Sequence, residues 1–212
     1  MIGYRDLEGI VEDATGTNTG KKLLIYDGGN KLLVSYFDAN QDEMWLFCDL
    51  ATGQNEIIKG DECQVAQFLG VYDGTLWYKT YVGGTLYQYD LKTQEKTKVL
   101  DFVHDAVVNS DAGIIAYTKK NNSQMLYLYN MNDRKTKYLP LMRWNTYYSD
   151  MYRNESRWSD DGRMFFYIRS FIRFFNASDM SLMVYDSESG KQTCIYKVKN
   201  TLHQFGYIAS EQ

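Results

Sequence analysis

Two stretches hold most of the side chains suited to recognising a partner. Arg143, Trp144, Tyr147, Tyr148, Tyr152 and Arg153 fall within eleven residues, and Phe171, Arg173, Phe174 and Phe175 form a second group. Six of the eight arginines lie between positions 143 and 173. A guanidinium donates several N–H groups in one plane and stacks on aromatic faces. Arginine among Tyr, Trp and Phe is therefore suited to holding a protein, peptide or glycan, not to making or breaking bonds. The plainer alternative is that the rings pack on one another to pin long connections, with the arginines as solvated edges.

Reactive groups are scattered by comparison. The two histidines are His104 and His203. His104 precedes Asp105, but no Gly-x-Ser-x-Gly elbow supplies a nucleophile for it to activate. Asp38-Ala39-Asn40-Gln41-Asp42-Glu43 starts like a calcium loop. Glu43 stands where the sharp turn of such a loop needs glycine, so the stretch reads as a polar hairpin turn. Cys48, Cys63 and Cys194 form no Cys-x-x-Cys pair, which points to free thiols and not to zinc or a disulfide framework. Gly28-Gly29 and Gly83-Gly84 read as hairpin turns, not phosphate cradles. No catalytic residue, metal or cofactor is assigned.

The elements that position these residues emerge from internal similarity. Trp45–Gln54, Leu86–Glu95, Leu126–Lys135 and Leu182–Lys191 each run an apolar strand into an Asx residue and a polar turn. The Asx residues Asp49, Asp90, Asn130 and Asp186 stand 41, 40 and 56 positions apart. A period near 40 is the length of a four-stranded propeller blade. Before each copy lies another hairpin, turning at Asp27-Gly28, Asp73-Gly74, Asp111-Ala112-Gly113 and Asp160-Asp161-Gly162. Each repeat therefore reads as strands A to D in up-and-down order. The fold class expected is all-β, a propeller-like array of about four four-stranded antiparallel blades plus terminal strands, in one domain over 1–212. The short A–B and C–D turns point one way. The irregular connections point the other, the longest being Leu139–Asn154 (D to A) and Ser170–Met180 (B to C). The aromatic and arginine groups lie in these two.

Trp158-Ser159-Asp160-Asp161-Gly162-Arg163-Met164-Phe165-Phe166 resembles the repeat of TolB-type and related bacterial propellers, in which a Trp-Ser-x-Asp-Gly turn leads into an apolar strand. The resemblance covers about four repeats, from Lys21 to Lys199, and implies an extracytoplasmic location. Met1 to Asp6 lacks the apolar core of a signal peptide, so the compartment stays unassigned.

Closed propellers have roughly 4–8 blades. Four repeats leave three solutions open: closure at four blades, closure at five with one built from both termini, or part of a larger ring, with a second copy as one way to complete it. Composition narrows the partners. Net charge is −4 with no long basic run, which argues against nucleic acid, and no apolar stretch is long enough to span a membrane. The function expected is a non-catalytic binding or scaffold module presenting the aromatic and arginine-rich loops to a protein, peptide or glycan. The alternative is a propeller-type enzyme, or an accessory domain of a hydrolase acting on polysaccharide or gating a peptidase.

Overall fold

The computed structural model describes residues 22–120, 122–140, 146–148, 157–159, 161–172 and 178–201, and these are almost entirely β-strand. The chain divides into two compact units, Met1–Asp101 and Phe102–Gln212. In the first unit, β1 (Lys22–Tyr26), β2 (Lys31–Phe37), β3 (Glu43–Asp49) and β4 (Asn55–Lys59) form one antiparallel sheet in chain order. Its second sheet is β5 (Val65–Tyr72), β6 (Thr75–Thr80), β7 (Leu86–Asp90) and β8 (Lys96–Leu100). The second unit holds a third sheet of β9 (Val103–Asn109), β10 (Ile114–Lys119), β11 (Asn122–Asn130) and β12 (Lys135–Pro140). Pro140, which lacks an N–H to donate, ends an edge strand.

The fourth sheet departs from the pattern. Its first strand is split into β13 (Thr146–Tyr148) and β14 (Arg157–Trp158), both paired with β15 (Met164–Ile172). Then come β16 (Ser178–Asp186) and β17 (Gln192–Thr201). This corrects the expected loops. Thr146–Tyr148 is strand and not D-to-A connection, and the β15–β16 ladder runs from Met164↔Asp186 out to Ile172↔Ser178.

The expected turns form by one mechanism in all four sheets. Oδ1 of Asp49 accepts the backbone N–H groups of Ala51 and Thr52 at 3.0 and 2.9 Å. Asp90 accepts from Lys92 and Thr93, Asn130 from Asn132 and Asp133, and Asp186 from Glu188 and Ser189. The short Asx side chain reaches backbone two and three residues on, which is why Asp or Asn occupies this site. The next residue then donates its N–H to a carbonyl in the A–B turn: Leu50 to Asn30, Leu91 to Gly74, Met131 to Gly113 and Ser187 to Arg163.

The core sits on the middle strands, with β2 and β10 buried through their centres, while the fourth strands β4 and β8 are largely exposed. In the first unit Trp45, 2% exposed, sets its ring edge-on to Phe68, Tyr78 and Tyr89 at 5.8, 5.1 and 5.4 Å. Such crossings put ring edges against π faces and add about 0.5–1.5 kcal/mol per pair beyond area burial. Beside it the buried Glu43 carboxylate accepts from the Ser35 hydroxyl, the Trp45 indole N–H and the Val65 backbone N–H. In the second unit Phe165, Tyr167, Met183 and Tyr185 pack with Ala116, Leu126, Leu128 and Leu139.

At Gly60 the backbone passes close to that indole. A Cβ there would lie 2.7 Å from Trp45 Nε1 and 2.9 Å from the Glu43 carbonyl oxygen. Gly60→Ala is expected to lower stability by about 1–3 kcal/mol, the range for overpacking a close contact. Arg134 holds φ at +56°, the turn position where Gly53 and Gly190 stand in their sheets. Arg134→Gly is expected to raise stability by up to about 1 kcal/mol, because the left-handed region costs a side-chain-bearing residue more than glycine. Urea denaturation midpoints check both, and an unchanged Gly60→Ala protein would contradict the packing described.

Candidate functional site

The expected binding residues divide by position. Arg143, Trp144, Tyr152, Arg153, Arg173, Phe174 and Phe175 lie outside the described residues. Tyr147, Tyr148 and Phe171 lie on strands, in one antiparallel register: Thr146↔Phe171, Tyr147↔Ser170 and Tyr148↔Arg169. The ladder carries on across the sheet, pairing Arg169 with Ser181 and Ser181 with Lys197. Tyr148, Arg169, Ser181 and Lys197 thus share one row across four strands, because directly paired residues lie on one face. The sheet places members of both sequence clusters side by side, although more than twenty residues separate them.

One charge in this row has a buried partner. The Lys197 ammonium lies 3.9 Å from the carboxylate of Asp179, which is itself buried. One row further in, the Tyr167 hydroxyl donates to Gln192 Oε1 at 2.5 Å. Burial pushes the Tyr167 phenol up to about 12, with the positive charge of Arg169 working against that shift. Tyr167 is therefore a neutral donor at ordinary pH, and Arg169 adds positive charge next to it.

His104 and the Asp38 turn, both singled out in the sequence, have structural partners, and so does Asp61, which the sequence did not single out. His104 lies within β9, and its Nδ1 is 2.9 Å from Asp105 Oδ2. Asp38 Oδ1 accepts the N–H groups of Asn40 and Asp42, closing the β2–β3 hairpin as a polar turn. Asp61, fully buried, accepts from the Tyr78 hydroxyl, the Cys63 N–H and the Lys96 ammonium. Burial raises the pKa of that carboxyl, but those three donors outweigh it and hold it below the ordinary value.

Sequence reasoning missed a cleft of about 330 Å³ in the first unit. It opens at the Asx-turn end, between the first two sheets, with Tyr26, Phe47 and Tyr89 in its walls and Glu56 and Gln94 at its edge. Its lining residues run from 26 to 94, and no linear motif links them. The pairing Tyr26↔Lys31↔Asp49 was the one available signal, and it follows only once strand register is known.

Successive four-stranded antiparallel sheets with shared turn chemistry define an all-β module of the propeller type. Among solved structures, TolB from Acinetobacter baumannii matches over 85% of this chain and 44% of its own, with TM-score 0.54 and 15% identity. The β-propeller domain of the Trilobed protease from Pyrococcus furiosus matches over 83% of this chain and 57% of its own, at TM-score 0.56 and 8% identity. Puromycin hydrolase matches over 84% and 28%, at TM-score 0.60 and 13% identity. The chain therefore spans less than half the length of the TolB chain it matches. No family model matches it, and no curated protein matches it in sequence. Among the described residues no helix is long and apolar enough to cross a membrane.

The turn carboxylates carry a pH signature. Asp186 is lowered to about 2, first by its hydrogen bond from Arg163 and then by the Ser189 N–H. A carboxyl whose folded pKa lies below its unfolded value, near 3.8, stabilises the fold above that value and stops doing so as pH falls towards 2. Denaturation midpoints should fall between about pH 4 and pH 2. Asp186→Asn should flatten that fall; identical slopes in the two proteins would show that Asp186 does not contribute.

Proposed function

We propose that this chain is a non-catalytic propeller-type binding module whose fourth sheet presents an aromatic and arginine-rich platform to a protein or peptide. One observation carries the reading: the pairs Thr146↔Phe171 and Tyr148↔Arg169 put Tyr148, Arg169 and Phe171 at register positions of one face on adjacent strands, with Tyr147 at the alternate position between them. Groups held on a ladder lose less conformational freedom on binding than groups on a mobile loop, so more of their contact energy appears as affinity. Arg143, Arg153 and Arg173 stand in the segments next to these strands and supply further planar donors for carboxylates. A partner segment bearing Asp or Glu fits that chemistry best. The TolB-type resemblance supports an extracytoplasmic location for the module, which fractionation of the producing cells would check.

A second reading rests on the comparison with puromycin hydrolase, of which the match covers 28%. In that reading the module accompanies a hydrolase domain, and the platform meets that domain instead of a separate partner. A complete reading frame without a hydrolase domain would remove it.

A peptide array of acidic and neutral sequences tests the leading proposal. Acidic peptides are expected to be retained in a salt-sensitive way. Replacing Trp144, Tyr148 and Phe174 together with Ala should weaken retention by at least about 30-fold, the scale of a lost interface hot spot. Retention unchanged in a triple variant that still folds would count against the platform.

A further inference from the structure

The cleft between the first two sheets is formed by strand register. Tyr26, Lys31 and Asp49 make one row of the first sheet, and Leu33, Phe47 and Glu56 make the next. Further in, the row through Trp45 is filled, since that ring meets Phe68, Tyr78 and Tyr89. Towards the Asx turns the facing residues of the second sheet are Tyr89, Leu91 and Gln94, and the space between the sheets is left open. Gln94 Nε2 donates to Glu56 Oε1 at 3.3 Å, a link from sheet to sheet along one edge.

The lining discriminates between classes of ligand. A free anion would meet Asp49 and Glu56. A cation would meet Lys31, and the carboxylates that could attract it already accept hydrogen bonds, Asp49 Oδ1 from the Ala51 and Thr52 N–H groups and Glu56 Oε1 from the Gln94 amide. Its lining also carries the Tyr26 and Tyr89 hydroxyls, the Cys48 thiol and the amides of Gln54, Asn55 and Gln94, the amides each able to donate and to accept. Hydroxyl groups do both as well, so a polyhydroxyl ligand satisfies amides and carboxylates together. The aromatic walls supply flat faces for the apolar side of a sugar ring. Burial raises the Tyr26 and Tyr89 phenols, with Asp27 and Asp49 adding to the effect on Tyr26, so both stay neutral. The volume, about 330 Å³, lies at the low end of the roughly 300–1,000 Å³ of small-molecule sites, which suits one or two rings and not a long chain.

We infer that this cleft is a binding site for a neutral saccharide of one or two rings, held between the aromatic walls and the amide–carboxylate edge. It lies in the first unit and does not depend on the fourth-sheet platform.

Saturation-transfer NMR on the full chain, with cellobiose, maltose and N,N′-diacetylchitobiose as probes, tests it. L-arginine amide and inorganic phosphate serve as the cationic and anionic arms. At least one disaccharide should receive saturation at its ring protons, and its affinity should fall at least about tenfold (about 1.4 kcal/mol) in Glu56→Ala/Gln94→Gly. Gln94 stands at φ +60°, so glycine there removes the amide without straining the turn. Gln54→Ala/Asn55→Ala, at exposed positions, provides an independent second variant. Silence from all three disaccharides would overturn the inference. So would binding undiminished in both variants, or saturation of arginine amide or phosphate alone.

Discussion

Each of the four sheets is held at one end by the same pair of hydrogen-bonded links, and the rest of the architecture follows from them. An Asx carboxylate or amide oxygen collects two N–H groups and folds the C–D turn. The next N–H then reaches a carbonyl of the A–B turn. The second link matters because it ties two hairpins that sequence alone would leave independent. With both turns fixed, the B and C strands have one register. A slip by one residue would turn buried Leu32, Leu33 and Val34 to the wrong faces.

The same links set where the two ends of each sheet can differ. At the Asx end the turns are short and alike, so the open space there comes from how far large side chains extend between sheets. In the first unit Trp45 fills the middle, and Phe47, nearer the turn, lines the cleft. The opposite end has backbone links of its own in the second and third sheets, from the Tyr81 N–H to the Gln64 carbonyl and from the Lys120 N–H to the Phe102 carbonyl, while the fourth sheet lengthens there to nine-residue strands in β15 and β16 and splits its first strand in two. A regular end leaves space between sheets, while the far end of the fourth sheet extends its ladder.

The repeat, the strand order and all four turns were legible because each rests on local chemistry: Asx before small polar residues, and Gly at left-handed turn positions such as Gly53, Gly74 and Gly190. The long β15–β16 hairpin was not. Ser170-Phe171-Ile172 shows no alternation that separates strand from loop, and its strand state depends on pairing with Asp179, Ser178 and the distant Thr146. The cleft was hidden for a related reason, since Tyr26, Phe47 and Tyr89 meet only through packing between sheets. Local chemistry told where the chain turns; it could not tell how far a ladder continues past the turn, nor where two sheets leave space.

Buried carboxylates show how the fold uses the groups that sequence reasoning would first suspect of chemistry. Glu43 gives its two oxygens to a hydroxyl, an indole and the first N–H of the second sheet. Asp61 is held by a phenol, an N–H and an ammonium. An ion taken out of water costs several kcal/mol unless such donors surround it, so each carboxylate persists only because its site is complete. In the first unit Glu43 spans from β3 to the start of β5, and Asp61 joins the connection before β5 to β6 and β8. They fix the junction between neighbouring sheets, where apolar packing alone would permit sliding. A scaffold joined this way can vary its far end without losing its core.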